Sequence, residues 1–95
     1  MTELTMHKIG FVIKNSRRVC TCKLVDQHGE MSIGELATLM EPETRSSAYV
    51  CLSQHHVPAL HDLDVLEYDN LRKRVDRGEN LPVVMQAIRY FEENL

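Results

Sequence analysis

"SSAYVCLSQHHVPALHDLDVLEYD", residues 46–69, is the stretch that decides the fold. Ala48, Leu52, Ala59 or Leu60, and Leu63 recur at spacings compatible with one helical face. Pro58 falls inside that pattern and removes the hydrogen bond its N–H would have made to Gln54. A kink follows, or two helical pieces meeting near His56-Val57. Val65 to Tyr68 then reads as a strand, and "DNLRKR" as a polar turn into a second short strand near Val75. A long broken helix therefore runs directly into a β-hairpin.

Working outward, Ser32-Ile33-Gly34-Glu35 has the form of a capping box, in which each side chain satisfies the other residue's backbone N–H. The helix it opens carries Ile33, Leu36, Ala37 and Met40 at helical spacing. It stops near Glu41-Pro42, because the residue before a proline is pushed away from helical angles. Thr44 is placed to cap the next helix. Further upstream, Thr5 caps a short helix over residues 6–13 with Ile9, Val12 and Ile13 facing inward. Asn15 or Ser16 caps a second helix through about Gln27. Val19, Cys22 and Val25, with Cys20 and Leu24 beside them, form its apolar face, and His28-Gly29 stops it. At the other end Asn80 caps a helix with Pro82 in its first turn, and Val84, Ala87 or Ile88, and Phe91 share a stripe of it.

The order is helix, helix, helix, long helix, two strands, helix. It predicts a mainly α chain with a small β-hairpin (α+β): a winged helix-turn-helix with an extra C-terminal helix, the hairpin being the wing. One domain spans residues 1–95, with its core over about 6–77. The C-terminal helix, about 81–94, is a candidate dimerisation element.

Composition fits this reading. The 95 residues are 43% hydrophobic and 26% charged, as in ordinary globular domains. There is no long apolar run, and "MTELTMHKIG" lacks the basic-then-apolar layout of a signal peptide, so a cytoplasmic protein with no membrane partner is expected. Three cysteines do not suggest a disulfide framework. The net charge of −3 does not announce a nucleic-acid binder, but the cations cluster as Lys14, Arg17, Arg18 and as Arg72, Lys73, Arg74, Arg77.

"NSRR" (Asn15 to Arg18), "SIGELA" (Ser32 to Ala37) and the order Tyr49-Val50, Leu52, Gln54, His56, Pro58, Leu60, Val65, Glu67-Tyr68-Asp69 resemble a family of small haloarchaeal winged-helix proteins of largely uncharacterised function. A pattern like L-x-Q-x-H-L-P-x-L before "GVVEYD" in that family reads "LSQHHVPAL" and "DVLEYD" here, and the likeness covers roughly residues 9–77. Asp64 stands where that family tends to have glycine, so a turn there uses a residue less tolerant of left-handed angles. The chain is also less acidic than a salt-adapted cytoplasm favours, which points to a less halophilic archaeal host or to a viral or plasmid-borne gene. The resemblance implies a DNA-binding transcriptional regulator and transfers no ligand or catalytic residue.

The expected DNA contacts are Arg45, Ser46, Ser47, Tyr49 and Gln54 on the recognition helix, with Arg72, Lys73, Arg74 and Arg77 on or beside the wing. Arginine and glutamine pair with guanine and adenine edges, serine and tyrosine hold phosphates, and wing cations displace counterions. The bland alternative for the 72–77 cluster is a solvated charged loop. One of Arg17 and Arg18 is expected to pack its stem on the core and pair with an acid from residues 62–69, the other to meet phosphate. Val84, Ile88 and Phe91 are the expected dimer interface, since a two-fold pair reads two half-sites.

Cys51 and His55 at i, i+4, with His56, His61, Cys20 and Cys22, raise a metal or redox-responsive regulator as a further alternative. The ligand spacing of a zinc site is missing, and small core cysteines and a hydrogen-bonded buried His56 are the simpler reading. No metal, cofactor or small-molecule ligand is expected. No nucleophile motif or Gly-rich phosphate loop points to an enzyme. The expectation is a homodimeric, sequence-specific regulator binding double-stranded DNA. The alternative is a protein-interaction module on the same scaffold. A continuous basic stripe over residues 45–54 and the wing favours DNA, and a mixed or acidic face favours protein.

Overall fold

Several helix boundaries have a local chemical cause, visible in a computed structural model that describes residues 3–94. Helix α1 (Met6–Ile13) begins where Thr5 Oγ1 accepts from the Lys8 N–H at 3.3 Å. Helix α2 (Ser16–His28) begins at Asn15, whose Oδ1 accepts from the N–H groups of Arg17 and Arg18 at 3.0 and 3.2 Å. It ends at Gly29, whose φ of +79° suits a residue without a Cβ. A two-residue strand β1 (Met31–Ser32) follows, and Ser32 and Glu35 close the capping box of α3 (Ile33–Met40) at 3.0 Å in both directions.

After Glu41 a 3-10 turn (Pro42–Thr44) leads into α4 (Arg45–Cys51). Thr44 takes the N-cap position without capping; its hydroxyl donates to Glu41 instead. The break at Pro58 takes a particular form. Its missing N–H leaves the Gln54 carbonyl without an α-helical donor, and residues Leu52–His56 widen into a π turn in which Val57 donates to Leu52. Helix α5 (Val57–Asp62) then carries Pro58 at its start, where no donor is required.

Strands β2 (Leu66–Asp69) and β3 (Arg74–Arg77) form the hairpin, with Tyr68 opposite Val75. Met31 pairs with the other edge of Val75, so the sheet has three strands in the order β1-β3-β2 rather than the expected two. β1 is too short to show a period in sequence. The final helix α6 (Leu81–Glu93) starts at Asn80, whose side chain donates to the Leu63 carbonyl at 2.9 Å instead of capping.

The core draws on every helix and strand: Val12, Val25, Leu36, Leu52, Leu60, Val75 and Ile88 are each at most 1% exposed. Each such side chain contributes on the order of 1.5–3 kcal/mol by leaving water. The architecture is mostly helical with a small antiparallel sheet, a winged-helix-like α+β fold with a closing helix. No helix among the described residues is long and apolar enough to cross a membrane.

Candidate nucleic-acid interface

The start of α3 joins α4 to the β2–β3 hairpin. On one side the Ile33 N–H donates to the Lys73 carbonyl at 2.9 Å. On the other, Arg45 lies over Gly34. Arg74 strengthens the wing side, with its Nε 2.7 Å from Glu30 and its Nη1 4.0 Å from Glu35. The Ser32 backbone N–H bonded to Glu35 holds that carboxyl below the usual range.

The outward face of α4 and the π turn carries Ser46, Ser47, Val50 and Gln54, all exposed. No intramolecular hydrogen bond engages the side chains of Ser46, Ser47 or Gln54 among the described residues. Val50, 48% exposed, is not among the contacts expected from sequence; it lies three residues after Ser47 and four before Gln54, a spacing that places it on the same face. Tyr49 instead packs half-buried against the core. At the wing tip Asp69 Oδ1 accepts from the Leu71 and Arg72 N–H groups at 3.1 Å each, and Lys73 adopts a φ of +55°. Arg72 is 78% exposed, while Lys73 Nζ donates to Asn70 at 2.6 Å.

Arg77, Arg17 and Arg18 are engaged within the chain, while Lys14 is exposed. Arg77 donates through Nε and Nη2 to the Asp26 carbonyl at 3.2 and 2.9 Å, against the last turn of α2 and away from the wing tip. Arg17 makes a two-pronged pair with Glu41 at 2.6 and 3.0 Å, correcting the expectation of an acid from residues 62–69. That hydrogen bond raises the Arg17 pKa and lowers that of Glu41. Arg18 donates to the Phe11 carbonyl at 2.7 Å and stacks 3.7 Å over the Phe11 ring, so it too is held within the chain.

The histidines and cysteines scatter. His55 is exposed and His56 is 9% exposed, because the π turn shifts which residue turns inward. Among the described residues His56 Nδ1 lacks the hydrogen-bond partner expected for it. Burial, then the charges of Arg18, Arg17 and His55, lower its pKa. Burial pushes the Cys22 thiol up to about 12. Among the described residues no three His, Cys, Asp or Glu side chains gather as a metal site.

Residues 11–76 match the domain of unknown function DUF7344. The chain belongs to the DUF7344 family. Neither a curated protein nor a solved structure matches the chain. The DUF7344 segment takes in the helix-turn-helix and the wing and leaves out α6.

α6 is nevertheless apolar on two sides. Val84 and Ile88, expected at a dimer interface, are 0% and 1% exposed and fill the protomer's own core. Phe91 is 47% exposed, and it joins Val83, Ala87 and Tyr90 on the other side. With Met6, Ile9 and Ile13 of α1 these line a groove of about 700 Å³.

Proposed function

We propose that this chain is a sequence-specific, double-stranded-DNA-binding regulator of transcription, of archaeal origin and cytoplasmic action, that works as a homodimer. The observation that carries the proposal is the outward face of the recognition helix. Its Ser46, Ser47 and Gln54 side chains, unengaged among the described residues, and the Val50 methyls share one exposed face that begins after Arg45, and Arg72 and Lys73 add cations on the wing. The hydrogen-bonding and apolar groups of that face suit base edges and the thymine methyl, and the cations suit phosphates. So few free cations give one protomer a weak grip, and a second copy doubles them. The uncovered α1–α6 groove is where we place that copy.

The basic stripe is not continuous, which keeps a second reading in play. Leu71 at the wing tip is 96% exposed, and Glu67 and Asp69 are exposed beside it. Those groups suit a protein surface better than a phosphate backbone, and favour a protein-interaction module.

Hydroxyl-radical footprinting on the DNA upstream of the chain's own gene separates the readings. Two protected patches about 10–10.5 base pairs apart, or a multiple of that, support the dimeric regulator. No protection at concentrations where a protein partner binds supports the module.

A further inference from the structure

The Arg45 side chain does not project freely from the first residue of α4. Its Nε donates to Thr38 Oγ1 at 2.8 Å, and that hydroxyl donates to the Gly34 carbonyl at 2.9 Å. Nη2 passes so close to Gly34 that a Cβ there would lie 2.9 Å from it. Two residues of α3 thus fix the plane of a guanidinium that belongs to α4. Its two terminal nitrogens meet no acceptor among the described residues. They border an open depression of about 400 Å³ that also touches Ser32, Glu35 and Leu39.

A guanidinium folded back on α3 is badly placed to reach base edges, yet its fixed fork matches the two non-bridging oxygens of a phosphodiester. We propose that Gly34, Thr38 and Arg45 form a seat for one backbone phosphate of duplex DNA. Arg45 supplies the charge, and Gly34 and Thr38 position it. The seat rests on the DNA-binding reading above. Glu35 at the rim accepts from the Ser32 N–H at 3.0 Å, and its carboxylate leaves the seat little net positive charge. A singly charged phosphodiester that is held elsewhere along the duplex therefore fits, and free dianionic phosphate does not.

The test uses the full chain and a duplex that the wild type binds. Arg45→Ala is expected to weaken binding about tenfold and to make the log K against log salt slope shallower by about 0.9, the share of one phosphate. Gly34→Ala and Thr38→Val are each expected to weaken binding several-fold and to flatten the slope likewise. The urea midpoint of Gly34→Ala stays at or above that of the wild type, since alanine is the better helix former and only the far end of Arg45 must move. In an Arg45→Ala background Gly34→Ala costs nothing further. Inorganic phosphate at matched ionic strength leaves binding unchanged; specific competition by it would contradict the phosphodiester assignment. Wild-type affinity in both Gly34→Ala and Thr38→Val, or an equal Gly34→Ala loss with and without Arg45, overturns the seat alone. A wild type that binds no duplex overturns the DNA-binding reading and the seat with it.

Discussion

The carbonyl oxygen of Asp64 lies where a Cβ on Gly78 would come within 2.5 Å of it, with backbone atoms of Val65 and Leu66 at 2.6 and 2.7 Å. The chain leaving α5 and the chain leaving the wing are pressed together there. Gly78 N–H donates to Val65 at 3.0 Å and Asn80 N–H to Asp64 at 2.8 Å. Asp64 itself takes a φ of +57°, a left-handed angle that residues with a Cβ adopt at some cost. These contacts are backbone to backbone, so no side-chain rotation relieves an added methyl. Gly78→Ala is predicted to lower stability by about 1–3 kcal/mol. A urea midpoint equal to that of the wild type would show that the two segments separate more easily than this geometry says.

His56 gives the fold a pH dependence whose sign is fixed. Its pKa is lowered in the folded chain, first by burial and then by Arg18, Arg17 and His55. The unfolded chain therefore binds the proton more readily, and stability falls as pH drops from about 6.5 through the folded value. Glu35 and Glu41, also lowered, act in the same direction but only below their ordinary value of 4.5. The wild type is predicted to lose stability between pH 7.5 and 5.5, and His56→Gln to lose less over that interval. Equal losses in the two proteins, read from urea midpoints at both pH values, would remove His56 as the source.

The second apolar face of α6 predicts the oligomeric state. Val83, Ala87 and Tyr90 recur at i, i+4 and i+7 on the side away from the buried Val84 and Ile88. Sedimentation is expected to show a dimer for the wild type and a monomer of unchanged helicity for Val83→Asp combined with Tyr90→Asp. A wild-type monomer at tens of micromolar would leave this face to some other partner.

Wing and recognition helix are predicted to fail differently. Removing Arg72 and Lys73 together should weaken binding to the upstream duplex and to a scrambled one alike, and flatten the salt slope by about 1.8. Gln54→Ala should weaken the upstream duplex by about 1–3 kcal/mol and spare the scrambled one. Loss of discrimination in the wing variant instead would reverse the assigned roles.

Local chemistry was the legible part of this sequence. The caps at Thr5, Asn15 and Ser32, the stop at Gly29 and the break at Pro58 each depend on a few adjacent residues, and each formed where read. Tertiary choices were not legible. Thr44 and Asn80 have the right side chains for caps, but Glu41 and the Leu63 carbonyl compete for them. Val84 and Ile88 showed a stripe without showing what would cover it. For the candidate site, sequence placed Arg45, Ser46, Ser47 and Gln54 on the segment that runs from α4 into the π turn, where all four are exposed. It could not show that Arg77 turns to α2, or that Tyr49 packs half-buried against the core, because those outcomes depend on residues distant in the chain.

The most direct measurement is the affinity of the wild type for its own upstream duplex and for a scrambled duplex, across a series of salt concentrations. Affinity is expected to fall steeply with salt on both and to favour the upstream duplex at every concentration. Equal, weak binding to both that vanishes at moderate salt would contradict that expectation, leaving the wing cations as ordinary surface charge.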